Sequence, residues 1–194
     1  MQPELTKVSL RKHLLHQRQS LSSQEWQHRS QQICQQLHQS VIFQRSRRIL
    51  AFFSFRQEPD LSSLWMQPQE THIEQFGFPR CVDRQLEWHL WSPGQPLTQG
   101  KYGVLEPHPD LPTMPPREVD LILVPCLGFD RHGYRLGYGG GFYDRLFSQP
   151  QWQTVPAIGI GFELGYLDSF PQDPWDRPLS GICTESSLFM IDRP

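Results

Sequence analysis

Apolar residues recur along this chain in two rhythms. From residue 4 to about 18 they fall at helical spacing, with Leu5, Val8, Leu14 and Leu15 on a partial stripe. Lys7, Arg11 and Arg18 share another face of the same helix, because positions i, i+4 and i+11 lie close at 3.6 residues per turn. A second helix is predicted from Ser22, where Ser22 and Glu25 have the spacing of a capping box and Trp26, Ile33 and Leu37 form a face for a sheet. The rhythm then changes. Arg48 to Phe55 (RILAFFSF) has the β-branched and aromatic content of a buried strand, and Asp60 is placed to cap a short helix running to Met66. His72 to Pro79 and Leu86 to Trp91 predict two further strands. Asp120 to Pro125 (DLILVP) and Val155 to Gly161 (VPAIGIG) are short apolar runs suited to strands buried on both faces, and Ser187 to Asp192 predicts a last strand. Strands alternating with helices predict an α/β fold, a mostly parallel sheet with helices on both faces.

Composition narrows the class. At 194 residues the chain is most simply one domain over 1–194, large enough for a substantial core. A net charge of −2 gives no global electrostatic case for nucleic acid or an acidic membrane, so an anion site has to be built locally. Cys34, Cys81, Cys126 and Cys183 lie far apart with no C-x-x-C pair, which predicts free thiols in a reducing cytosol. The first residues are charged and lack the apolar core of a secretory signal, and no apolar run approaches the roughly 20 residues of a membrane span. A soluble, cytoplasmic protein is expected.

The candidate chemistry concentrates after the DLILVP run. Gly133, Gly137, Gly139, Gly140 and Gly141 are interleaved with Arg131, Arg135 and Arg145, followed by Tyr143 and Asp144. Glycines let backbone approach an anion and turn successive N–H groups toward it, and a following helix adds its positive end. The pattern is neither G-x-x-x-x-G-K-[ST] nor G-x-G-x-x-G, and glycine clusters also make plain surface loops. Flanking arginines, the aromatics Tyr138, Phe142 and Tyr143, and the carboxylate of Asp144 favour an anion or nucleotide site over a linker. The Lys7, Arg11 and Arg18 face, taken by itself, reads as a solvated basic face.

The segment VPCLGFDRHGYRLGYGGGFYDRLF resembles, without gaps, the signature of the 5-formyltetrahydrofolate cyclo-ligase family, roughly V/I-P-G-x-x-F-D-x-x-G-x-R-L-G-Y-G-G-G-Y-Y-D-R. Cys126 stands where Gly is usual and Phe142 where Tyr is usual. Gly100 to Pro107 (GKYGVLEP) is similar to a further element of the family, with Tyr102 placed to stack on a flat ring and Lys101 to face a phosphate or glutamate tail. The resemblance implies a three-layer sandwich related to the ribose-phosphate isomerase and CoA-transferase folds. It implies ATP-dependent conversion of 5-formyltetrahydrofolate to 5,10-methenyltetrahydrofolate, an activity of one-carbon metabolism, by a monomer acting on small molecules. Lys7 and Arg135 are then the catalytic candidates. Lys7, Arg11, Arg135, Gly137, Gly139, Gly140, Gly141 and Tyr143 are expected to bind ATP, and Phe53, Glu58, Tyr138 and Phe142 the folate. Asp144 and Asp176 are expected to hold Mg²⁺. Around Asp176 the family often has a preceding His and an Asp four residues on, where this chain has Trp175 and Ser180. Two rival readings stay open: an ATP-dependent ligase or kinase acting on another heterocycle, and a non-catalytic module binding folate or RNA. Near-neutral charge and the lack of an RNP-type motif argue against RNA.

Overall fold

The computed structural model describes residues 6–66 and 72–191. Leu5, the first residue of the expected apolar stripe, and Asp192, the end of the expected last strand, lie outside the described residues. Three helices open the chain: α1 (Lys7–Gln19), α2 (Ser23–Gln39) and α3 (Val41–Arg45). Thr6 caps α1 by accepting the Ser9 N–H, and α2 begins with the predicted reciprocal box of Ser22 and Glu25. Then come β1 (Arg48–Leu50), α4 (Ser63–Met66), β2 (Gln75–Val82), β3 (Gln85–Leu90), β4 (Leu97–Gln99) and β5 (Leu105–Pro107). The chain continues through β6 (Leu121–Pro125), β7 (Gly128–Phe129), β8 (Arg135–Leu136), α5 (Phe142–Ser148), α6 (Pro150–Gln153), β9 (Ala157–Ile160), β10 (Gly181–Cys183) and β11 (Leu188–Met190).

Seven strands form one sheet in the order β11-β10-β9-β6-β1-β2-β3. The inner strands β10, β9, β6, β1 and β2 run parallel, and β3 and β11 close the two edges antiparallel. Alternation along the strands sorts side chains between two cores. Ile49, Leu121, Leu123, Ile158 and Ile160 pack with Ile33 and Leu37 of α2, Phe43 of α3 and Leu64 of α4. Leu50, Ile122, Val124 and Ile182 face the other way, onto Leu146 and Phe147 of α5 and Trp152 of α6. Each such side chain contributes roughly 1.5–3 kcal/mol on burial, so the central strands dominate the stability. Helices therefore cover both faces, as the alternation of elements predicts.

One departure from the sequence reading has a physical cause. The strand expected over Arg48–Phe55 ends its ladder at Leu50, and only the Ala51 N–H continues the pairing, to the Gly77 carbonyl at 2.8 Å. Beyond it the chain leaves the sheet, and Arg56 and Gln57 adopt positive φ of 48° and 56°. Helix α1 does not join either sheet core. Leu10 and Leu14 pack instead with Leu127, Leu136 and Phe170, over the small β7–β8 hairpin that follows β6.

Candidate active site

Open parallel sheets leave a crevice beyond the carboxyl ends of their strands, where neighbouring connections diverge. Here the chain leaving β1, the β8–α5 loop, α1, the 173–176 loop and the β2–β3 edge enclose a cavity of about 770 Å³. Lys7, Arg11, Phe53, Glu58, Arg135, Gly137, Tyr138, Gly139, Gly140, Gly141, Phe142, Tyr143, Asp144 and Asp176 all line it. The residues expected to bind ATP, folate and metal thus reach one space. A more open depression of about 690 Å³ lies at the other end of the sheet, lined by Arg45, Asp120 and Pro156 and by none of the residues expected to bind ATP, folate or metal.

The basic face of α1 is not solvated, against its reading from the sequence alone: Lys7 and Arg11 line the cavity and Arg18 is buried. Lys7 Nζ donates to Asp173 Oδ2 at 2.6 Å and also to Asp176. Partial burial pushes the lysine pKa down, but the hydrogen bonds and charges of Asp173 and Asp176 outweigh it and hold the pKa above its ordinary value. Arg11 Nε donates to the Gly137 carbonyl at 2.8 Å, fixing the start of the glycine loop. Arg18 is 2% exposed and donates to the Arg56 carbonyl at 3.1 Å and to the Tyr138 hydroxyl.

The glycine loop is shaped for close approach. Gly139 and Gly141 sit at φ of 93° and 67°, a region that costs L side chains strain. A Cβ at Gly137 would meet nothing within 4 Å, so this glycine opens the wall instead of relieving a clash. Among the described residues, no N–H of Gly137–Gly141 donates to a backbone carbonyl. Helix α5 has only seven residues, so the backbone of the loop matters more here than the helix dipole the sequence reading invoked. Arg135 Nη2 donates to Asp144 Oδ1 at 2.7 Å, Nη1 to the Arg177 carbonyl at 2.9 Å, and the guanidinium lies 5.8 Å from the centre of the Tyr143 ring. Burial drives the Tyr143 hydroxyl pKa up, so the ring serves as a neutral wall. Arg145 braces the loop from outside, donating to the Gly140 carbonyl at 2.8 Å and lying over Phe142.

At the other end the wall is aromatic and carries one buried carboxyl. The positive-φ turn at Arg56 and Gln57 folds Glu58 back, so its Oε2 accepts the Phe55 N–H at 3.1 Å. Trp26 Nε1 and Ser54 Oγ clamp the Glu58 carbonyl at 2.8 and 2.7 Å. Burial pushes the Glu58 carboxyl up to about 7, against the opposing pull of Arg18, the Phe55 N–H and the Tyr138 hydroxyl. Phe53 stacks on Phe78 with ring centres 4.2 Å apart, which holds it flat against the core. Phe142 meets Tyr102 edge to face at 5.7 Å, so the missing phenol leaves the aromatic contact in place. Lys101 is exposed and does not line the cavity.

Among the described residues, no group of three or more His, Cys, Asp or Glu side chains lies close enough to hold a metal. Asp144 is paired with Arg135, and Asp176 with Lys7. This donor set fits Mg²⁺ that arrives with nucleotide, since the ion takes one or two carboxylates and fills its octahedron with phosphate and water oxygens. Cys126 is buried in the core with α5, where a Cβ at Gly159 would come within 2.9 Å of its Sγ, and it does not line the cavity. Ser180 Oγ accepts the Ala157 N–H at 3.1 Å and so ties β9 to the start of β10. Trp175 lines the cavity, largely exposed. Arg18 as a buried partner of Tyr138, Asp173 as a partner of Lys7, and Trp26 as a clamp on Glu58 were not assigned to the site from the sequence. The i+11 spacing of Arg18 from Lys7 was the one available signal.

Fold and cavity together define the class: an α/β protein with a glycine-walled ligand site, rich in arginine and aromatic rings, at the carboxyl ends of its parallel strands. The model of the 5-formyltetrahydrofolate cyclo-ligase family matches residues 4–185, and this chain belongs to that family. It is 30% identical over 162 residues to the 5-formyltetrahydrofolate cyclo-ligase of Haemophilus influenzae, covering 80% of this chain and 86% of the relative. It is 25% identical to the Escherichia coli cyclo-ligase over 177 residues, 89% of this chain and 96% of the relative. Among solved structures, the 5,10-methenyltetrahydrofolate synthetase of Aquifex aeolicus superposes with a TM-score of 0.83 at 28% identity, covering 98% of this chain and 95% of that one.

Proposed function

We propose that this chain catalyses the ATP-dependent cyclisation of 5-formyltetrahydrofolate to 5,10-methenyltetrahydrofolate, with release of ADP and phosphate. The observation that carries the reading is the polarity of one cavity: Lys7, Arg11, Arg135 and the glycine loop at one end, Glu58 and flat aromatic rings at the other. A formyl oxygen on nitrogen is a poor leaving group. The formyl oxygen attacks the γ-phosphorus, the bond to the β–γ bridging oxygen breaks, and ADP leaves. N10 then attacks the activated carbon and loses its proton, the C–O bond breaks, and inorganic phosphate departs. Such a sequence needs alignment and charge neutralisation more than a protein nucleophile.

Lys7 and Arg135 are the side chains assigned to the transferring phosphoryl group. Arg135 presents a planar fork and Lys7 a point charge. Arg11 and the backbone of Gly137, Gly139, Gly140 and Gly141 cradle the remaining phosphates, with Tyr143 as the wall behind them. Glu58 accepts hydrogen bonds from amino and ring N–H groups of the pterin, between Phe53, Tyr138 and Phe142. Mg²⁺ bound with ATP would offset phosphate charge, and Asp144 and Asp176 are the carboxylates to hold it. The same reading has the protein act as a monomer of one domain in the cytoplasm, in a three-layer sandwich kin to the ribose-phosphate isomerase and CoA-transferase folds. Light scattering on the purified protein tests the monomer.

The test is the ultraviolet spectrum of 5-formyltetrahydrofolate mixed with the protein, with and without Mg-ATP. Growth of the methenyl absorbance only with Mg-ATP supports the reading. A flat trace with intact ATP binding points to a ligase or kinase for another heterocycle. Arg135→Ala should lower turnover at least about 100-fold with little change in melting temperature. An effect mainly on melting would remove Arg135 from the chemistry.

A further inference from the structure

Arg18 is the buried cation that the proposed reaction leaves without a task. It sits in the last turn of α1 and is 2% exposed, and its Nη1 is buried with no hydrogen-bond partner. Taking a guanidinium out of water is costly unless its donors are satisfied and its charge is met, so a spare donor calls for an anion nearby. The anion whose charge it meets is Glu58, through space and without an ion pair among the described residues: the Arg18 charge draws that carboxyl's pKa down. The Tyr138 hydroxyl lies between them, accepting from Arg18 Nη2 and hydrogen-bonding the Glu58 carboxyl. The titratable groups facing Glu58 are Arg18 from α1, Tyr138 from the glycine loop, Tyr143 from α5 and Cys126 after β6. Arg18 is the cation among them, since Arg56, on the same turn as Glu58, lays its guanidinium over the Phe55 ring.

We propose that Arg18 is a positioning residue that keeps Glu58 ionised to accept the N–H donors of the substrate and, through Tyr138, locks that carboxylate to the glycine loop. One guanidinium then sets both ends of the cavity. The inference rests on Glu58 as the substrate-binding carboxylate. It follows that substrate and proton compete at Glu58, and that Arg18 fixes the pH at which the substrate wins. Even with Arg18 opposing it, burial leaves the carboxyl up at about 7, so losing that cation carries it into the neutral form at physiological pH.

The experiment is a carbon-13 carboxyl titration of Glu58, its resonance assigned by its loss in Glu58→Gln, in the wild type and in Arg18→Met. In parallel, KM for 5-formyltetrahydrofolate is followed from about pH 6 to 9. In Arg18→Met the Glu58 midpoint should rise by about one unit or more. KM near neutral pH should rise on the order of tenfold and recover in alkali, with kcat less affected. Arg18→Lys should restore most of the midpoint. An unchanged midpoint, or a KM loss independent of pH, overturns the proposal. The titration needs no turnover, so a wild type inactive on this substrate refutes the proposed reaction while the midpoints still judge Arg18. Should Arg18→Met fail to fold, Tyr138→Phe is the second variant, expected to raise both midpoint and KM. Unchanged values there reject the coupling.

Discussion

Glu58 shows how one side chain trades stability for chemistry. Its folded pKa of about 7 lies above its ordinary value of 4.5, so the native state holds the proton more tightly than the unfolded chain. The stability this confers is full below the unfolded value and is lost as pH rises through the folded one. Between about pH 5 and pH 8 the wild type should therefore lose stability relative to Glu58→Gln, on the order of 3 kcal/mol, read from denaturant melts of both proteins. Parallel melts would show that the carboxyl is not buried as described. Lys7 presents a different economy. Asp173 and Asp176 already occupy its ammonium, so a phosphate must take Lys7 from them. Asp173 is the more exposed partner, and its pair should contribute under about 1 kcal/mol. Asp173→Asn should lower KM for ATP by up to about fivefold with kcat held, in steady-state assays at low salt. A rise in KM would instead make Asp173 part of the nucleotide site.

Among the elements, the loop between β8 and α5 owes its shape to positions that do different jobs. Gly139 and Gly141 need the left-handed region. Gly137 does not, and a Cβ there would enter open space. Gly137→Ala should leave the melting temperature within about 2 °C, a shift matching the few tenths of a kcal/mol of an unstrained surface change. It should still reduce turnover about tenfold or more, because a methyl would stand where backbone is to meet phosphate. Unaltered turnover would detach Gly137 from the cradle. The glycine cluster was legible in the sequence, but which of its members is strained and which merely open was not. That distinction depends on φ and on neighbours such as Arg11 and Arg145, fixed only when α1 and the β2–β3 edge close around the loop.

For the whole molecule, α1 lies over the β7–β8 hairpin as a satellite of the two sheet cores, yet it carries Lys7, Arg11 and Arg18. A ligand contacting that face links the satellite to the sheet. Mg-ATP at about 100 times its Kd should stabilise the protein by roughly 2.7 kcal/mol. It should also slow amide exchange in α1 more than in β6 and β9, which exchange mass spectrometry resolves element by element. Uniform slowing would mean that α1 is already as fixed as the sheet. What the sequence determined by itself was the first two helices, most of the strands of the main sheet and the contiguous glycine motif, but not β10, the small hairpins, or the places of Arg18, Asp173 and Trp26. Runs such as LILVP and AIGI are apolar throughout, which suits them to strands buried on both faces, and the motif from Pro125 to Phe147 is read from contiguous residues. The tertiary structure alone decided the pairings. Helical spacing puts Lys7, Arg11 and Arg18 on one face but cannot say whether that face meets water or a cavity, because periodicity is indifferent to what lies opposite. The partners arrive from far along the chain: Asp173 and Asp176 to Lys7, Gly137 to Arg11, Tyr138 to Arg18. Burial, which lifts the Glu58 carboxyl and leaves Arg18 as its counter-charge, exists only once those distant segments have packed.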